Sequence, residues 1–132
     1  MEFDKTTQDA LKLIHEGNHI IFREVGRVCE KYHLNYFLDS GNLIGAVREK
    51  SDIPWDDDAD IAMTRKDFEV FRKVARTELK DGFVYVEPDE LNGAFYDFVP
   101  RVVMLDSTMR ENNAEQKYYG NGIHNHMRTD IF

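Results

Sequence analysis

The sequence predicts an α/β fold of the α+β kind, a short mixed β-sheet with flanking helices, and three observations carry that prediction. Leu11, Ile14, Ile21, Val25, Val28 and Tyr32 recur at three-to-four spacing, the mark of a long amphipathic helix. Asn35–Asp39, Asp58–Met63 and Phe83–Glu87 are short apolar or alternating runs of strand length, each bounded by turn residues. Between the last two lies Phe68, Phe71, Val74, Ala75 and Leu79, a second helical stripe. The chain has 132 residues, enough for a single domain over 1–132 with a real core.

The first helix is expected over Thr6–Tyr32, opened by Thr6 with Asp9 three residues on. Gly17 and Gly26 each weaken it by roughly 1 kcal/mol relative to alanine, which makes Gly17-Asn18 the place for a bend or a break. Asn35–Asp39 reads as a buried strand, Ser40-Gly41 as a strand-to-helix turn, and Asn42–Glu49 as a short helix with Leu43, Ile44 and Val47 inward. Pro54 ends any helical continuation. Thr64-Arg65-Lys66-Asp67 is a capping box opening the next helix, and Gly82 is expected in a left-handed conformation just past its end. Pro88–Gly93 reads as a turn and Ala94–Leu105 as one strand or two, with Pro100 suggesting an edge or a bulge. Asp106–Gly122 reads as a long loop, and Arg128–Phe132 as the start of a strand, weakly anchored because chain ends fray.

Hydrophobic residues make up 42% and charged residues 32%, which fits a globular protein and not a disordered one. The net charge of −8 argues against partners that are themselves anionic polymers, so nucleic acid and anionic membrane surfaces are not expected. No apolar run approaches the ~20 residues of a membrane span, and the acidic start at Met1–Lys5 has no signal-peptide character. A cytoplasmic location is expected. Cys29, the single cysteine, lies among apolar helical neighbours and reads as a core residue.

Four of the five positions from Asp56 to Asp60 are aspartate, which accounts for half of the excess charge. If Asp58 and Asp60 lie on a strand they share a face, about 6–7 Å apart at the backbone, and both can reach one hard cation such as Mg²⁺ or Mn²⁺. Without a cation they repel each other, and one is pushed toward protonation. A solvated acidic turn is the alternative reading of the cluster alone. Upstream, Gly41 allows close backbone approach to a phosphate, the helix start at Gly41-Asn42 offers free N–H groups, and Arg48 and Lys50 add positive charge. A phosphate cradle followed by paired carboxylates suits metal-assisted transfer of a phosphorylated group from a nucleotide. Trp55 is expected as a hydrophobic lid or core anchor, or else as a stacking platform for a base. Arg101 reads as an active-site cation or an exposed salt bridge. His124 and His126 are expected at the surface, His15, His19 and His33 as structural or solvated, and Tyr118 and Tyr119 as pocket-lining or packing residues.

The segments Tyr36–Arg48, Ile53–Met63 and Arg65–Phe68 closely resemble the LicD family, which includes the fukutin-related proteins. The resemblance weakens but continues through Arg101–Thr108 and Thr129–Phe132. It implies a nucleotidyltransferase-like fold and transfer of a phosphorylated alcohol, typically phosphocholine from CDP-choline, to a hydroxyl of a cell-surface glycan. It also implies that Gly41 is the phosphate-cradling glycine, that Asp58 and Asp60 are the metal-binding pair, and that Arg48 is a phosphate or nucleotide contact. Asp130, in the Asp-Ile-Phe motif, would complete the metal site or accept the attacking hydroxyl's proton. Asp56 and Asp57 would support the pair. Asn42 stands where the family usually has Thr or Ser, and the domain is expected to be shortened at its C-terminus. A nucleotidyltransferase acting on a small molecule, and a non-catalytic nucleotide-binding fragment, are the alternatives.

Overall fold

A computed structural model describes residues 5–87, 99–105 and 127–132 of the chain. The expected turn at 88–93, the first part of the strand expected from residue 94, the loop at 106–122, and Asp106, Tyr118, Tyr119, His124 and His126 lie outside the described residues. Helix α1 runs unbroken over Lys5–Lys31. No break occurs at Gly17-Asn18, where both residues are buried against the rest of the molecule and packing holds the backbone helical. Strand β1 is Phe37–Leu38, and the chain then turns into α2, Ser40–Ile44, which continues as one π-helical turn over Gly45–Glu49. Strand β2 is Asp60–Ala62, and α3 spans Arg65–Glu78. The Thr64 hydroxyl accepts from the Asp67 amide at 3.3 Å, as the capping box requires. Gly82 does have a positive φ of 96°, but in the turn leading to β3 rather than at the helix cap, which is Leu79.

Strands β3 (Phe83–Val86), β4 (Arg101–Met104) and β5 (Met127–Ile131) complete a mixed five-stranded sheet of order β1-β2-β5-β4-β3. Only the β2–β5 pairing is parallel. This order corrects two expectations. Strand β5 is central, with ladder partners on both sides, and Phe132 both donates to Ile61 and accepts from Met63, so the strand end is well held. Strand β4 is also interior. Pro100 stands just before it, where its missing N–H costs no ladder bond, and its carbonyl accepts from Ile131 at 2.9 Å.

The register sorts the side chains onto two faces. Tyr85, Val102 and Thr129 align across β3, β4 and β5, while Ile61 aligns with Ile131 on the same face. Here the sheet packs against Ile21, Val25, Val28 and Cys29 of α1 and Phe71 and Ala75 of α3, forming the core. Burial pushes the Cys29 thiol up to about 11, an inert core residue as expected. The other face carries a second row, in which Val86, Arg101, Asp130 and Asp60 align across four strands.

Around α2 the inward side differs from the expected one. Leu43, Ile44 and Val47 are exposed, whereas Asn42 and Gly45 are buried. A Cβ at Gly45 would fall 2.5 Å from the Ser51 carbonyl, so backbone meets backbone there and only glycine fits. Trp55 is 51% exposed and is not a core anchor. The turn closed by the Asp56 amide on the Ile53 carbonyl swings Trp55 outward, and Ile53 takes the buried position instead.

Candidate active site

The acidic segment is held from two sides. From α1, His15 Nε2 donates to the Asp56 carbonyl at 2.6 Å, and the buried Asn18 amide donates to the Asp57 carbonyl at 3.4 Å. From α2, Asn42 uses both ends of its side chain. Its Oδ1 accepts from the Asp60 amide at 2.7 Å, and its Nδ2 donates to the Asp58 carbonyl at 3.3 Å. Asn42 thus braces the two aspartates through their backbone, and its side chain is engaged there rather than offered to a phosphate. The turn before α2 is tight, with Ser40 at φ 50°, a conformation rare for a residue with a side chain. Gly41 faces the cluster directly, since a Cβ there would fall on the Asp56 carboxylate.

The strand expected from Asp58 begins only at Asp60, but the expected alternation reaches back to Asp58, since Ala59 and Ile61 are buried while Asp58 is exposed and Asp60 half-buried. The carboxylates of Asp56, Asp57 and Asp58 also gather, with an oxygen from each lying within 4.8 Å of the others. Asp60 and Asp130 are register partners on neighbouring parallel strands. Burial, then the charge of Asp130, then those of Asp58, Asp39 and Asp56, push the Asp60 carboxyl up to about 6. Desolvation by surrounding atoms, together with Asp57 and Asp56, raises Asp58 as well, and Arg128 partly offsets this. Carboxylates raised by desolvation and then by neighbouring carboxylates, on a backbone held from two sides, offer the oxygen donors that suit a hard divalent cation.

Two of the cations expected at this site, Arg48 and Arg101, are treated differently by the fold. Arg48 is exposed and pairs with its neighbour Glu49 at 3.0 Å, so nothing in its contacts ties it to the acidic cluster. Arg101 is not the exposed salt bridge offered as its alternative. It is 3% exposed, and its Nε lies 3.1 Å from Asp130 Oδ1 across the β4–β5 ladder. Sequence reading missed Asp39, Asn18 and Arg128. Arg128 lies two residues before Asp130 on β5, so the two share a face, and it lines a cavity of about 70 Å³ with Asp57, Asp58, Asp130, Asn18 and Ile14. The Arg-x-Asp spacing at the chain end was the one available signal.

Comparison with known proteins agrees with this architecture. Residues 33–119 match the family model of the LicD/FKTN/FKRP nucleotidyltransferase domain. The lipopolysaccharide cholinephosphotransferase LicD of Haemophilus influenzae is 50% identical over 44 residues, which are 33% of this chain and 17% of that protein. Uncharacterized proteins of Rickettsia typhi and Rickettsia prowazekii are 33% and 36% identical over 54 and 47 residues, covering 41% and 36% of this chain and 18% of each relative. These alignments span under a fifth of the length of each relative. The family match takes in β1, the glycine turn, the acidic segment, α3, β3 and β4, and on that ground the chain belongs to the LicD family.

Proposed function

We propose that this domain transfers phosphocholine from a CDP-choline-type donor to a hydroxyl of a glycan, with Mg²⁺ or Mn²⁺ at the acidic cluster. The observation that carries the reading is the alignment of Asp60 with Asp130 on neighbouring strands, with Asp58 and Asp60 both raised, chiefly by desolvation, on the segment that faces the glycine turn at Gly41. Asp58, Asp60 and Asp130 would hold the cation. When bound, it neutralises diphosphate charge and stabilises the leaving CMP. Arg101 Nε, 3.1 Å from Asp130 Oδ1, sets a fixed positive charge beside that carboxylate. The Gly41 backbone orients the donor phosphate. The glycan hydroxyl oxygen bonds to the phosphorus of phosphocholine, the bond from that phosphorus to the CMP oxygen breaks, and the hydroxyl proton passes to solvent. Among the described residues no helix is long and apolar enough to cross a membrane.

The test uses CDP-choline labelled separately in the choline and in the cytidine, with lipopolysaccharide as acceptor and Mg²⁺ present. Choline label is expected on the acceptor, whereas cytidine label there would mean nucleotidyl transfer instead. Asp58→Asn and Asp60→Asn are each expected to reduce turnover about a hundredfold or more while leaving the circular dichroism spectrum unchanged. Full turnover in both variants would refute the assignment.

A further inference from the structure

We infer that Arg128 is the cationic contact that holds a phosphate of the substrate over the acidic cluster. The inference deepens the proposed function and rests on that reading for the identity of the donor, though not for the chemistry of the contact. The geometry begins with the strand. Arg128 and Asp130 are two residues apart on β5 and project from the same face, while Thr129 and Ile131 between and beyond them are buried in the helix-side core. Strand β5 is central, and Arg128 is the register partner of Val103 on β4.

The surroundings of Arg128 are acidic. It shares its cavity with Asp57, Asp58 and Asp130, and its charge acts on Asp58 against the repulsion from Asp57 and Asp56. The other nearby arginine, Arg101, is 3% exposed and committed to Asp130, and Arg48 is turned to Glu49. Arg128 is only half-buried and lines the cavity itself, so it is the guanidinium able to meet a ligand entering there. A planar guanidinium offers two parallel N–H donors to phosphate oxygens, which a point charge does not. An anionic phosphate approaching so many carboxylates needs a fixed cation besides any bound metal, and Arg128 occupies that place.

Two binding measurements on the full chain, with thermal melting as a check, separate this role from a structural one. Removing a positive charge beside Asp58 favours a bound cation, so Arg128→Gln is expected to bind Mn²⁺ several-fold more tightly. The same variant is expected to bind inorganic pyrophosphate with Mn²⁺ about tenfold or more weakly. These changes have opposite signs, whereas mere loosening of the fold weakens both. Arg128→Lys keeps the charge but not the fork. It is expected to bind Mn²⁺ as the parent does and pyrophosphate about three- to tenfold more weakly, and it decides the matter if the glutamine variant does not fold. Parental pyrophosphate affinity in Arg128→Lys, or in a folded Arg128→Gln, overturns the inference. Normal pyrophosphate binding by the parent without phosphocholine transfer would refute the donor assignment alone, leaving the Arg128 contact standing.

Discussion

Among the described residues, the acidic groups at the α1–α3 contact and at the sheet end are built in opposite ways. Where α1 meets α3, Glu24 is buried and accepts from Arg27 Nε at 2.7 Å, from Arg27 Nη2 at 3.0 Å and from the Lys80 amide at 2.7 Å. Glu78 accepts from Lys31 at 2.7 Å and from the Tyr32 hydroxyl at 2.6 Å, while its carbonyl takes the other side of Arg27. Burial alone would raise Glu24, but these partners outweigh it and leave its pKa lowered. At the other end of the core, Asp58 and Asp60 are raised, chiefly by desolvation and then by neighbouring carboxylates. Both groups cost solvation. Among the described residues the first recovers it in full and the second only in part, through Arg128 and Arg101, so the first is part of the fold and the second is poised for a further positive charge.

Substitution breaks the comparison most sharply at Glu24. Glu24→Ala strips three bonds from a buried network and leaves Arg27 without its carboxylate, at an expected cost of about 3 kcal/mol in urea unfolding. Asp60→Asn, although it alters a residue of the central ladder, is expected to leave the metal-free protein equally or more stable, since it removes a repelled charge. A large loss of stability in Asp60→Asn would show that the two regions are not different in kind.

Asn42 joins the site to the fold, and its substitution is expected to give an intermediate effect. Asn42→Ala leaves the Asp60 amide without its 2.7 Å partner and the Asp58 carbonyl without its donor, at an expected cost of about 1–2 kcal/mol. Mn²⁺ affinity is expected to fall in the same variant, because the acidic segment loses its brace. Unchanged melting would mean that water replaces the side chain fully.

How legible each part was follows from the range of the interactions. Helices α1 and α3 announce themselves through apolar spacing and a capping box, which are local, and the ends of α1 fall within one residue of the expected ones while α3 stops short of Gly82, at Glu78. The acidic segment and the glycine turn are likewise contiguous in sequence. The Asp60–Asp130 and Arg101–Asp130 alignments join residues 70 and 29 positions apart, and only the strand order fixes them. Asn42 was read as a phosphate donor because its position in the turn is visible in sequence, whereas its hold on Asp58 and Asp60 depends on how α2 packs on β2. The exposed Leu43, Ile44 and Val47 show the same limit. An apolar stripe was visible, but the π-helical turn and the close approach of Gly45 to Ser51 rotate it outward.

The two acidic regions also oppose each other along the pH axis, an effect expected to be the smallest. A carboxyl raised in the folded state binds more protons there than in the unfolded chain, so its contribution to stability grows as pH falls toward its unfolded value. For Asp60, pushed up to about 6 from an ordinary value of 3.8, that window runs from about pH 6 down to about 4. Glu24 has the reverse sign, being lowered from 4.5, so the stability it confers is present above that value and is lost as pH falls below it. Metal-free protein is therefore expected to melt slightly higher at pH 5 than at pH 7, by on the order of 1 kcal/mol once solvent screening is allowed for, and to weaken again below pH 4.5. Excess Mg²⁺ is expected to abolish the first trend and leave the second, since a bound cation removes the repulsion that raises Asp60 and does nothing for Glu24. Melting curves from pH 4 to 7, with and without Mg²⁺, test both arms. A stability that only falls between pH 7 and pH 5, with Mg²⁺ making no difference, would mean that the aspartates at the sheet end are as well compensated as the glutamates between the helices.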